Sequence, residues 1–324
     1  MIRLIGAELR RLASRRMTLV SGIVLLLAVG LFQLLVVQEA SPPSAAEVAE
    51  QRQFYEQAHN DWERNHDANV KECLAQGETQ ANCDMYYAEP TPADFALTAT
   101  PFDQIAEIAM FLAAFLAMLA AYLVGSSFIG AEYSTGSLAN WLTFVPQRLR
   151  VYASKLLAVA LASAVGGAVI SFLVLGLAAV ITKAYGGALT GAGRYAAVGG
   201  RAVVLAVIAG VLGFVLALVT RHTVAALGAV LGYLLVSTVL GGLAQNADGP
   251  LHWLPPWLPE NNVQAFLMHG STYQQYRQTV TAEGTSGDSI ERHITFGHSA
   301  LYWLVVLAVA AVGAALVFRR RDVT

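Results

Sequence analysis

Six apolar runs, at 17–37, 105–131, 156–182, 202–220, 223–243 and 299–318, alternate along the chain with polar stretches of very unequal length. Each is long enough to cross a hydrocarbon layer as a helix, which takes roughly 20 residues. Backbone amides find no water there, so each run must satisfy its own hydrogen bonds. No period-2 alternation supports a membrane barrel instead. The pattern predicts an all-α polytopic membrane protein with six transmembrane helices. Ahead of the first run, Ile2, Ile5, Leu9 and Leu12 recur at spacings of three and four, with Arg3, Arg10, Arg11 and Arg15 mostly on the other face. Residues 1–16 are therefore expected to form an amphipathic helix in the headgroup plane. The plainer alternative is an extension of the first span whose arginines only set topology.

Composition agrees with lipid as the solvent. Of 324 residues, 56% are hydrophobic and 13% charged, against about a quarter charged in soluble domains. The first run spans 21 residues, more than the ~7–15 of a secretory leader's apolar region. An uncleaved first helix is the expectation.

Bases near helix ends set orientation. Arg3, Arg10, Arg11, Arg15, Arg16, Arg148, Arg150, Lys155, Arg221, Arg319, Arg320 and Arg321 all fall on one side of a six-span chain. Both termini are therefore expected in the cytoplasm, with 319–324 as a short tail. Lys183, Arg194 and Arg201 run against the rule and are expected to snorkel to headgroups or to meet outer acids.

Residues 38–104 make the largest outer segment. From Glu39 to Asp103 it holds thirteen acids against Arg52, Arg64 and Lys71, a net of −10. Ser44 to Tyr87 reads mainly helical, with Phe54, Tyr55, Trp62, Leu74, Met85 and Tyr86 as scarce apolar anchors. A solvated cap is one reading; a lid, or a docking site for a cationic substrate or an outer partner, is the other. Cys73 and Cys83 are the only cysteines, and an oxidising compartment would join them; two inert thiols or an intermolecular link are the alternatives. His59, Asp61, Glu63, His66 and Asp67 invite a metal reading. The two histidines are seven apart, however, whereas zinc sites more often use i,i+4 pairs, so a solvated face is expected. The second outer segment, 244–298, carries Trp253 and Trp257 among Pro255, Pro256 and Pro259, a composition suited to the membrane interface. A short helix that enters the bilayer and returns is expected at 262–269, then an exposed loop with a possible helix or hairpin.

The inner segment 132–155 is the most distinctive. It runs Gly130-Ala-Glu132-Tyr-Ser-Thr-Gly136-Ser137-Leu138-Ala-Asn-Trp141-Leu142-Thr-Phe-Val-Pro146-Gln-Arg148-Leu-Arg150, with Lys155 beyond. Gly130, Gly136 and Pro146 permit sharp changes of direction. Glu132 is expected to bond backbone or a base, and Leu138, Trp141 and Leu142 to offer apolar surface to a groove. Arg148, Arg150 and Lys155 are expected to meet phosphate headgroups or acidic partner residues. By composition alone this is an ordinary inner loop.

The pattern Glu-x-x-x-Gly-[Ser/Thr]-Leu-x-x-x-Leu-x-x-x-Pro-x-x-Arg followed by Lys resembles the ABC-2 family of ABC transporter permeases. Ser137 stands where threonine is commoner and keeps the hydroxyl. The resemblance implies that this segment holds a coupling helix seated on a separate ATP-hydrolysing subunit. It also implies that the amino-terminal helix, with Leu9, Arg10, Arg11 and Leu12, is an elbow near that subunit. Further implications are re-entrant helices before the last span and an assembly of two permease halves (homodimer or related heterodimer) with two ATPase subunits. The expected activity is export of an amphiphilic drug, lipid or peptide across the plasma (inner) membrane. ATP and magnesium would belong to the partner, and no nucleic acid is implied.

Other features support no catalysis in this chain. No Gly-x-x-x-x-Gly-Lys-[Ser/Thr] phosphate loop, Gly-x-Ser-x-Gly or His-Glu-x-x-His occurs. Glu107, near the outer end of the second span, is a candidate substrate or gate residue by its depth, or a solvated acid. Glycines at 166, 167, 176, 210, 213, 228, 232, 241 and 242 thin the third to fifth spans for close packing or a flexible gate. Two rival functions stand beside transport by an ATP-driven complex. A membrane sensor or scaffold would use the acidic cap as receptor, and an ion-coupled transporter would need ionisable residues at midplane, which the spans nearly lack.

Overall fold

The computed structural model of the chain describes residues 2–92, 94–95, 100–144, 147–281 and 284–320. Its elements are α1 (Ile2–Ala13), α2 (Arg16–Ala40), α3 (Ala45–Ala75), α4 (Gln80–Tyr86), α5 (Phe102–Ser134), α6 (Ser137–Phe144), α7 (Arg148–Ala184), α8 (Ala192–Thr220) and α9 (Thr223–Ala244). A 3₁₀ turn (Pro255–Trp257), α10 (Pro259–Met268), strands β1 (Gly270–Thr281) and β2 (Gly284–Thr295), and α11 (Phe296–Arg320) complete the order. Helices α2, α5, α7, α8, α9 and α11 are long and apolar enough to cross a membrane. The all-α polytopic class holds, with one added β-ribbon.

Several helices overrun their apolar runs. The α5 helix has 33 residues and α7 has 37, about 50 Å and 55 Å at 1.5 Å per residue. A hydrocarbon core of about 30 Å covers only part of that length. Hydropathy marks where lipid ends; the helix ends where its capping and packing end. The α8 helix likewise begins at Ala192 rather than near 202, so Arg194 and Arg201 are helical.

The chain divides into two compact units. The first comprises 1–31, 109–175 and 193–324. Its centre is α8, the most buried of the six long helices. Phe128 and Ile129 from α5, Leu138 from α6, Tyr152 and Val159 from α7, and Phe214 and Leu218 from α8 share one core with Leu12 and Phe318. Lipid is as apolar as these side chains, so close fit and polar contacts must hold the helices together. Gly125 illustrates the fit: a Cβ there would collide with the carbonyl of Gly210. Tyr122 donates to the Ala226 carbonyl at 2.6 Å and Tyr152 to that of Ala311 at 2.8 Å, joining α5 to α9 and α7 to α11. Of the glycines singled out in the sequence, Gly167, Gly210 and Gly213 make such close approaches, whereas Gly166, Gly176, Gly228, Gly232 and Gly242 face open space.

The segment after α9 packs through amides. Gln275 donates to the carbonyls of Ala244 and His252 at 3.0 and 2.7 Å. Asn262 donates to Pro256 and Leu258, and Trp303 of α11 donates to the Asn262 carbonyl at 3.3 Å. Strands β1 and β2 form an antiparallel ribbon with Gly270 opposite Thr295, resolving the open choice between loop, helix and hairpin.

The second unit comprises 32–108 and 176–192. Ser44 and Glu47 form a capping box at the start of α3, with Ser44 N–H donating to Glu47 at 2.7 Å and Glu47 N–H to Ser44 at 3.3 Å. A Cys73–Cys83 disulfide joins α3 to α4. Trp62 Nε1 donates to the Tyr87 carbonyl at 2.8 Å, with the His66 ring 4.7 Å from the indole. The expected anchors divide: Phe54, Leu74, Met85 and Tyr86 are exposed, while Tyr55 and Trp62 are half-buried.

Candidate functional site

The 132–155 segment is built on a buried ion network that joins three helices of the first unit. In α1 the residues turned inward are Glu8 and Leu12. Glu8 lies three positions after Ile5 and four before Leu12, on the apolar stripe itself. Glu132 sits in the last turn of α5, and Lys155 two turns into α7. The three side chains are 0%, 1% and 1% exposed.

The Lys155 ammonium lies between the two carboxylates. It donates to both oxygens of Glu8 at 3.0 Å. It is 2.9 Å from Oε1 and 2.8 Å from Oε2 of Glu132, with hydrogen-bonding geometry to Oε1. Two arginines close the edge: Arg11 is 3.5 Å and Arg15 3.3 Å from Glu132 Oε1, and Arg11 is 3.7 Å from Glu8. Arg15 also donates to the carbonyls of Ser127 and Phe128 at 3.2 and 2.8 Å. The Phe128 ring lies 4.7 Å from the Arg15 guanidinium and 5.1 Å from the Lys155 ammonium, cation–π distances. Burial draws the Arg15 pKa below the usual arginine value, and Glu132 opposes that shift; an arginine so placed stays charged. Three bases thus enclose two acids, each charge within reach of an opposite one. Such groups are costly to bury singly and tolerable together.

Directly beyond Glu132 the chain reverses. Gly136 has φ +66°, the left-handed region, where a side chain is strained although space is open around it. The turn delivers α6, and Leu138 drops into the chain's own core at 1% exposure. Leu138 was expected to present apolar surface outward; instead it fastens α6 to the long helices. Lys155, expected among headgroups or partner acids, is internal because Glu8 and Glu132 already surround it. Arg10 and Arg150 are exposed, Arg11, Arg148, Ser137 and Leu9 are half-buried, and Leu12 is buried. Pro146 lies outside the described residues, as do the side chains of Trp141 and Leu142. Glu107 is exposed. In the cap, His59 faces Glu63 at 3.5 Å and Glu89 at 3.7 Å.

The site therefore combines a short helix hung on one buried leucine with a charge lock linking the amino-terminal helix to the two long helices that flank it. Such an arrangement ties α1 and the adjoining ends of α5 and α7 together through buried charges. Residues 2–323 match the family described as "ABC-2 family transporter protein". The chain belongs to that family. It is thus the permease component of an ABC transporter, embedded in the membrane by several spans. No curated protein and no solved structure matches it.

Proposed function

We propose that this ABC-2 permease is one transmembrane half of an ATP-driven exporter, energised by a separate ATPase that docks around α6 and α1. The observation that carries the reading is the Glu8–Lys155–Glu132 lock beside α6. Because α1, α5 and α7 share it, a displacement of α6 or α1 moves the inner ends of two long helices together. Exposed Arg10 and Arg150 flank this region and suit an acidic rim on the partner. Two permease halves, as a homodimer or with a related chain, then rearrange between them a path for an amphiphilic cargo moving outward.

The disulfide and the arginine distribution support an inside location for both termini. Cys73 and Cys83 need an oxidising compartment, and their segment lies between the first two spans, across the membrane from the amino terminus. The ionic groups of the lock sit near helix ends rather than at midspan, which argues against an ion-coupled carrier. Co-expression with an ABC ATPase should give a stable complex whose ATP hydrolysis the permease modulates in liposomes. Charge reversals Arg10→Glu and Arg150→Glu should weaken that complex without unfolding the permease. Failure to recruit any ATPase, or labelling of Ser137→Cys from the outside by an impermeant maleimide, overturns the reading.

A further inference from the structure

The end of α9, the start of α10 and strand β1 enclose a cleft of about 410 Å³, within the ~300–1,000 Å³ range of small-molecule sites. Gly241 and Gly242 contribute no side chain to its wall, which makes the room. Glu260, in the first turn of α10, stands at one side. Its Oε2 accepts the Tyr233 hydroxyl proton at 2.6 Å. That bond fixes the carboxylate, and among the described residues no base pairs with it.

The remaining lining groups are rich in lone pairs. Ser237 and Thr238 both donate their hydroxyl protons to the Leu234 carbonyl, at 3.2 and 2.8 Å. Asn261 directs an amide N–H to the Pro255 carbonyl at 2.8 Å, and Tyr276 gives its proton to Gln274 at 3.2 Å. A hydroxyl has one proton and two acceptor sites, so these groups offer acceptors to anything in the cleft. Gln245 and Gln274 bring the remaining amide donors. Of the ribbon's arginines, Arg292 stands opposite Tyr273 and Arg277 is held by Asp248 at 3.2 Å, and neither lines the cleft. An anion would meet a carboxylate and a wall of oxygens. A cation with N–H donors would meet a counter-charge, acceptors and tyrosine rings together.

We propose that this cleft binds a small organic ammonium ion, with Glu260 as its counter-charge. Assigning that ion as the head of an amphiphilic cargo rests on the exporter reading above; the binding itself does not.

The test uses the full-length permease in phosphatidylcholine nanodiscs, without ATPase. Equilibrium binding is measured for phenethylammonium, its trimethylated analogue and phenylacetate. Phenethylammonium should bind most tightly, the trimethylated form more weakly because it lacks N–H donors, and phenylacetate not measurably. Glu260→Gln, which keeps shape and removes charge, should weaken phenethylammonium by about tenfold or more. Tyr233→Phe removes the bond that orients the carboxylate but keeps its charge, and should weaken phenethylammonium less than Glu260→Gln does. Equal binding of phenylacetate, unchanged affinity in Glu260→Gln, or no binding by the wild type at millimolar ligand overturns the proposal. Recruitment of the ATPase is untouched by any of these results, so the two readings fail separately.

Discussion

Replacing Lys155 with methionine is the sharpest probe of the ion network. The substitution conserves length and apolar volume but removes the ammonium between Glu8 and Glu132, which are 0% and 1% exposed. Both carboxylates then depend on Arg11 and Arg15, at 3.3–3.7 Å and on one edge only. Removing one partner of a buried ion pair costs about 3–5 kcal/mol, because the remaining charge stays buried. For a chain of this size that loss corresponds to a fall of roughly 5–10 °C in melting midpoint. The double variant Lys155→Met/Glu8→Gln removes one charge of each sign, leaving Glu132 with two arginines. It should recover more than half of the loss, giving a coupling energy of several kcal/mol across the cycle. Thermal unfolding in nanodiscs at a fixed scan rate, across the four proteins of the cycle, measures this. A loss in the double variant equal to the sum of the two single losses would refute the reasoning, since the two sites would then be independent. The same cycle separates stability from coupling. If the double variant folds like wild type yet transports poorly, the ions themselves carry the motion; if it transports normally, packing suffices.

Three further outcomes follow from the geometry. Joint replacement of Cys73 and Cys83 by serine should destabilise the cap by about 2–3 kcal/mol through lost loop constraint, read as faster amide exchange in α4 with the membrane helices unchanged. Gly125→Ala should cost about 1–3 kcal/mol by overpacking against the Gly210 backbone, whereas Gly166→Ala, which faces open space, should be neutral or stabilising in melting experiments. Glu47 has its pKa held below the usual 4.5 by its bonds with Ser44. Its contribution is therefore present above that value and lost as pH falls through the lowered one; fraying at the start of α3, followed by amide exchange, should track this in the wild type and disappear in Glu47→Gln.

Most of the architecture was legible because lipid leaves the backbone few choices. Six apolar runs separated by polar stretches give six spanning helices, and the amino-terminal periodicity gives α1. The disulfide followed from two cysteines in one outer segment. What escaped were features set by polar tertiary contacts. The overrun of α5 and α7 carries polar residues that a hydropathy pattern assigns to loops, although the Lys155 contacts keep those turns helical. The β-ribbon remained one option among three, since Gly270–Thr281 has few apolar residues to alternate and its register depends on Gln275 reaching Ala244 and His252.

The inner site separates what spacing can give from what only folding can. The pattern around Glu132 and Gly136 singles out one segment, and its residues have opposite orientations. Leu138 and Lys155, read as outward, are among the most buried side chains of the chain. Glu8 carries a signal in the sequence: an acid flanked by Ile5 and Leu12 on the apolar face of an otherwise basic helix. A carboxylate in that position cannot face lipid without cost, so it demands a buried cation from elsewhere. Only three lysines exist in the chain, and Lys155 alone belongs to the same side by span count. Together with the same-side arginines, Arg11 among them, it is a natural partner for Glu8. This makes the charge lock a consequence of where an unexpected acid stands, rather than an incidental contact between neighbouring helices.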